Sequence, residues 1–213
     1  MTEAEQAMLD RGLEGFKQSY QNNLDLTSIV SKIGKKDLRP MKVHPAAFMQ
    51  ISIQLAYHRM HSDIATVYET AQLRKFYHAR TETTRTCTLE IVNFIKAFLD
   101  DMKSTDEKIS CFKQAHLSYL MLMKDCINFE GCDRHLMCMQ SNTLKDHYSF
   151  KLGGGGGNFK LSTSNVGSIP EDILPIVGGC APFTEDGYGV LSGFSFFLNI
   201  QINKHILGFF FAF

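Results

Sequence analysis

The sequence predicts an α/β fold, with helices packed in layers on a mixed β-sheet, and three observations point to it. Before Asp133, apolar residues recur every three to four positions, the spacing of buried helix faces. After Asp133 the chain turns glycine-rich and short stretches alternate apolar with polar, as strands do. With 213 residues, 44% of them hydrophobic, there is enough apolar surface for one sizeable core. Helices first and strands later place the helical layer over one face of the sheet.

Glu3 to Asp25 carries a loose helical pattern (Ala7, Met8, Phe16, Tyr20) that runs into the polar Gln21-Asn22-Asn23. A basic, proline-punctuated loop follows, with Lys35, Lys36, Arg39, Pro40, Lys42 and Pro45. Ala46 to His61 reads as a buried helix with two apolar rows, Phe48-Ile51-Leu55 and Met49-Ile53-Ala56-Met60. The next helices are predicted over Glu69–His78, Leu89–Met102 and Asp106–Asn128, the last with Ile109, Phe112, Leu120, Met123 and Ile127 on one side. Gly153–Gly157 reads as a flexible connection before an Asn158–Ser164 strand. Further strands are expected around Ile173–Val177 and Gly189–Ile202.

Charge and cysteine usage exclude several function classes. With 22 basic and 22 acidic residues the net charge is zero, which gives a nucleic-acid or membrane-surface partner no support. The six cysteines form no C-x-x-C pair, which disfavours a structural zinc site. Unpaired thiols behind an acidic N-terminus without signal-peptide character point to an intracellular compartment. The phenylalanine-rich end carries Asn199, Gln201, Asn203, Lys204 and His205 and is read as strand-like, with no transmembrane segment.

Four cations within eight residues, ahead of a helix start at Pro45, suit either a phosphorylated ligand or a solvated loop. The glycine run is not a phosphate loop, since no Lys-Ser/Thr follows it. His58 and His61 have no third metal ligand nearby, and His116 reads as a satisfied core histidine. Cys132 and Cys138 are expected to be buried as small apolar side chains. The stretch from Tyr68-Glu69-Thr70 to Arg80-Thr81-Glu82-Thr83-Thr84-Arg85-Thr86 crowds hydroxyls, guanidiniums and carboxylates together. It fits a binding site or a structural network at a helix junction.

The ordered set Tyr68-Glu69, Arg80-Thr81-Glu82-Thr83, Asp133-Arg134-His135-Leu136, Leu161-Ser162-Thr163-Ser164 and Asp186-Gly187-Tyr188-Gly189 resembles the choline/carnitine acyltransferase family. The loop Gly34–Pro45 and the Asn158-Phe159 approach are most similar to its octanoyl-transferring, peroxisomal branch. The likeness runs from about Asp10 to Val190. It implies an incomplete coenzyme A-dependent acyltransferase domain over 1–190, with a divergent tail over 191–213. The implied reaction moves a medium-chain acyl group between coenzyme A and carnitine. No cofactor is held permanently, and coenzyme A or acyl-coenzyme A enters as substrate. The family pattern assigns the carnitine carboxylate to Arg134, Tyr68 and Thr81, the oxyanion to Ser164, and the coenzyme A phosphates to Lys35 and Arg39. Asp133 and His135 flank Arg134 as supports.

The chain departs from the family pattern at Ala46, where Asp is common after Pro, and at Asn165, where Gln is usual. None of the eight histidines matches the family's general base, which the resemblance places in a segment before Met1. The isolated chain is therefore expected to be inactive unless complemented. The alternative is a non-catalytic binding protein that pairs with a full-length relative or with itself.

Overall fold

The structure, a computed structural model, describes residues 1–23, 26–30, 32–142, 158–168, 180, 182–184, 186–194 and 198–204. The glycine run 153–157, the strand expected at 173–177 and the tail beyond 204 lie outside the described residues. Helices and a mixed sheet make up the fold, as the sequence predicts. In chain order the elements are α1 (Glu3–Asn23), β1 (Leu26–Val30), α2 (Lys35–Leu38), α3 (Pro45–His61), β2 (Val67–Gln72), β3 (Thr81–Thr84), α4 (Leu89–Leu99), α5 (Thr105–Ile127), α6 (Asp133–Asn142), β4 (Leu161–Ser168), β5 (Tyr188–Phe194) and β6 (Leu198–Lys204).

The six strands lie in the order β1-β6-β5-β4-β2-β3. The central β2-β4-β5 strands are parallel. Antiparallel neighbours close both sides, β3 on β2 and β6-β1 beyond β5. The expected Gly189–Ile202 strand is thus two neighbours, and Leu198–Lys204 is an interior strand paired on both edges.

Local chemistry sets the helix ends. Pro45 opens α3, and Ser62 closes it in the left-handed region at φ 55°. Thr88 caps α4 by accepting from the Ile91 amide. Ser104 and Glu107 form a reciprocal capping box on α5. Those bonds, with the Lys103 ammonium foremost, hold the Glu107 carboxyl down at about 2.

The core lies between α3, α5 and one sheet face. Met49, Ile53 and Tyr57 of α3 and Tyr119 of α5 pack on Val67 of β2, Leu161 of β4, and Tyr188 and Val190 of β5. A second cluster joins Ile51 to Ile91, Phe94 and Ile95 of α4 and Ala115 of α5. The buried side of α5 is Ala115, Tyr119 and Cys126, whereas Ile109 and Ile127, expected inside, are exposed. Ala56 and Met60 likewise leave the expected α3 row for solvent, and Gln50 and Gln54 are buried instead.

One predicted helix is corrected. Glu69–His78 is not helical: Val67–Gln72 is strand β2, hairpinned to β3. Val67, Glu69 and Ala71 are buried, while Tyr68, Thr70 and Gln72 are half-buried or exposed, a strict strand alternation. Because a carboxylate occupies the middle buried position, the apolar pattern does not reveal the strand. β3 is similarly hidden, since Glu82, Thr83 and Thr84 are all buried polar residues.

Candidate functional site

The register of β2, β3 and β4 decides which side chains share a face. Val67 pairs with Leu161 and Glu69 with Thr163, and all four of these residues are buried. Tyr68 pairs with Ser162 and therefore lies on the opposite face, which by alternation also carries Thr70 and Ser164. Across the hairpin Gln72 pairs with Thr81 and Thr70 with Thr83, which places Thr81 on that same face.

Arg134, in the first turn of α6, completes the group. Its Nη2 lies 3.5 Å from the Tyr68 hydroxyl and 3.5 Å from Thr81 Oγ1. Its Nε donates to the Thr81 carbonyl at 3.3 Å. Thr70 Oγ1 donates to the Tyr68 oxygen at 3.3 Å. Arg134 is thereby brought to Tyr68 and Thr81, which lie 66 and 53 positions before it, and all three are half-buried. Among the described residues no carboxylate pairs with the Arg134 guanidinium. A cation and two hydroxyl donors converge there at loose contact distance, an arrangement that favours an anionic acceptor.

The start of α6 is pinned from below. The Arg134 amide donates to Glu82 Oε1 at 3.1 Å, and the Thr83 amide donates to the same oxygen at 2.7 Å. Gly131 allows this approach: a Cβ there would sit 2.5 Å from Glu82 Cγ. Asp133 accepts from Arg85 Nε at 2.6 Å, with the carboxylate 4% exposed. The Arg85 guanidinium in turn lies 4.9 Å over the Phe159 ring. Of the two residues that flank Arg134, Asp133 is thus buried on Arg85, whereas His135 is exposed. Cys132 and Cys138, expected inside, are exposed. α6 packs chiefly on β3, so of its first turn only Asp133 is buried.

An aromatic group borders the cluster. Tyr68, Phe159 and Phe183 lie with ring centroids 5.3–5.6 Å apart. Phe159 is buried and Phe183 is 55% exposed, so the group has a solvent-facing side. Phe183 gave no signal in the sequence. Cys180 gave none as a site residue either, yet its thiol sits 3.0 Å from Ser162 Oγ and donates to the Ser162 carbonyl. Burial pushes that thiol up, so it stays neutral.

Ser164 is half-buried on the Tyr68 face of β4, and its carbonyl accepts from Ser192. Lys35 opens α2 and Arg39 caps its C-terminal end one turn later, with the buried Leu38 as anchor. Burial lowers the Lys35 ammonium, and Arg39 is exposed. No described hydrogen bond joins these two to the Arg134 cluster. His116 Nε2 accepts from the His44 amide at 2.8 Å beside this loop, and burial lowers both rings. His58 and His61 turn to different partners, the Asp63 carbonyl and the Tyr188 hydroxyl.

Behind Tyr68 the covered sheet face is polar as well. Glu69 accepts from the Tyr119 hydroxyl at 3.1 Å. Burial drives its carboxyl up to about 7, against the pull of Tyr119 and Gln50.

The sequence model of the Choline/Carnitine o-acyltransferase family matches residues 6–193. The chain is 35% identical over 201 residues to the peroxisomal carnitine O-octanoyltransferase of Bos taurus, which covers 90% of this chain and 31% of that protein. The Homo sapiens protein of the same name is 35% identical over 83% of this chain and 29% of its own length. The Homo sapiens carnitine O-acetyltransferase is 30% identical, over 84% and 29%. The chain therefore spans less than a third of the length of these relatives. Among the described residues, no helix is long and apolar enough to cross a membrane.

Proposed function

The chain belongs to the choline/carnitine O-acyltransferase family, and from that membership we propose that it carries the carnitine-binding half of a carnitine medium-chain acyltransferase site. The observation behind this reading is the convergence of Arg134, Tyr68 and Thr81 with no carboxylate of the described chain between them. Carnitine offers a carboxylate to that group and a trimethylammonium that has no N–H to donate. Rings suit such a cation, and Tyr68, Phe159 and Phe183 stand beside the anchor. Fixing both ends of the zwitterion orients the hydroxyl that receives the acyl group.

In this reading Ser164, on the same face, donates to the oxyanion of the tetrahedral intermediate. Lys35 and Arg39 take the phosphates of coenzyme A, which is a substrate and not a resident cofactor. The proton-accepting histidine comes from sequence corresponding to the two thirds of the relatives that this chain does not span. The octanoyltransferase names of the relatives support a medium-chain acyl group and a peroxisomal location.

Calorimetric titration with carnitine and, separately, coenzyme A tests the reading, alongside thiol release from octanoyl-coenzyme A. Saturable binding of both ligands without thiol release is expected of the chain alone. Acyl transfer by the chain alone that survives Arg134→Ala would overturn the assignment.

A further inference from the structure

The site residues Tyr68 and Ser164 sit on different strands, and what holds those strands in step is buried on the far face. Gln50 of α3 is 2% exposed, on a helix face whose other buried residues, Gln54 apart, fill the apolar core. Its Nε2 donates to Thr163 Oγ1 at 2.9 Å. Its Oε1 accepts from Thr86 Oγ1 at 3.2 Å. Thr163 Oγ1 in turn donates to the Tyr68 carbonyl at 2.7 Å. Thr163 and Thr86 are each 1% exposed, so none of these bonds has water as an alternative partner.

The direction of this chain of bonds is fixed. A hydroxyl has one proton, and Thr163 spends it on the Tyr68 carbonyl; its oxygen then needs a donor. Thr86 likewise gives its proton away, so it needs an acceptor. Only a side chain with a donor and an acceptor at its tip serves both neighbours. A carboxylate of the same shape would set two acceptors against each other at Thr163.

We infer that Gln50 is a positioning residue: its amide orients Thr163 so that the Tyr68 strand and the Ser162-Thr163-Ser164 strand stay in register. The Tyr68–Ser162 pairing depends on that register, and a slip by one residue would turn Tyr68 toward the helices and Ser164 away from it. The inference rests on the reading of Tyr68 and Ser164 as groups that act on carnitine. It extends that reading to a residue that touches no ligand.

Residue-resolved amide hydrogen exchange on the full chain tests this, paired with carnitine and coenzyme A titrations. In Gln50→Met, exchange at 68–70 and 163–165 is expected to quicken about tenfold relative to α4 amides, the scale of one buried hydrogen bond. Carnitine affinity should fall about tenfold and coenzyme A affinity change by less than about twofold. Thr163→Val should reproduce both effects, and Thr163→Ser, which keeps the hydroxyl, should stay within about twofold of the parent. A uniform rise in exchange in both Gln50→Met and Thr163→Val would overturn the inference, as would a Thr163→Val chain indistinguishable from Thr163→Ser. If the parent chain takes no carnitine, the functional reading fails, and the exchange contrast still decides the role of Gln50.

Discussion

The two faces of the β2-β3-β4 sheet each carry a polar cluster, and the two clusters are solved in opposite ways. On the helix-covered face, Gln50 pairs with Thr86 and Thr163, and the Tyr119 hydroxyl donates to one oxygen of Glu69, all of them buried. On the other face, Arg134, Tyr68 and Thr81 approach no closer than 3.3 Å, and among the described residues no carboxylate pairs with the cation. The first arrangement uses its hydrogen bonds on the fold, and in the proposed reading the second keeps its own for a ligand. The difference teaches that a buried structural polar group and a proposed binding group can be adjacent in sequence, as Glu69 and Tyr68 are, and differ only in which way the strand turns them.

If that division is right, substitutions on the open face change binding and spare stability, and those on the covered face do the reverse. The largest effect is expected for Arg134→Ala: carnitine affinity should drop about 100-fold or more, the scale for removing one partner of a charge-assisted pair. The thermal midpoint should move little, because the guanidinium makes only long contacts in the free chain. A large loss of stability with intact affinity would erase the distinction between the faces.

Glu69→Gln sharpens it from the covered side. The Glu69 carboxyl is raised from 4.5 to about 7 in the fold, so its contribution to stability is complete below about 4.5 and is lost as pH rises through about 7. Above pH 8 the accumulated penalty is about 3 kcal/mol. Denaturant melts of Glu69→Gln should lose this dependence and show a more stable chain than the parent at pH 8. A parent chain whose stability is flat between pH 4.5 and 8 would refute the buried, ionisable role.

Tyr119→Phe removes the donor to Glu69 and should cost about 1–2 kcal/mol. Its cost should grow with pH, since the charged carboxylate needs the hydroxyl more than the neutral acid does. Urea melts at pH 5 and pH 8 would check both magnitude and trend. The smallest effect belongs to Arg39→Ala, at the exposed C-cap of α2, where coenzyme A affinity should weaken about three- to tenfold with carnitine affinity unchanged.

Much of this was legible from residue patterns. Helices α3, α4 and α5 announce themselves by apolar spacing. Strands β2 and β3 do not, because Glu69, Glu82, Thr83 and Thr84 fill buried positions with polar groups that look like surface. For the same reason Gln50 passes unnoticed in the sequence: its burial is justified only by Thr86 and Thr163, which are 36 and 113 residues away. Tyr68, Thr81 and Arg134 could be nominated through the family's motifs. Their meeting depends on strand register and on the α6 start held by Glu82 and Gly131, which no local pattern encodes. Cys132 and Cys138 were placed inside on residue type alone, yet both are exposed, one just before α6 and one within it.

The most direct test of the central claim is a calorimetric comparison of carnitine with choline, a quaternary ammonium that lacks the carboxylate, on the parent chain and on Arg134→Ala. Saturable carnitine binding with choline at least about tenfold weaker, and that preference abolished in Arg134→Ala, is the predicted result. Equal affinity for the two ligands, or a carnitine preference that survives the loss of Arg134, would contradict the assignment of the Arg134–Tyr68–Thr81 cluster as the carboxylate site.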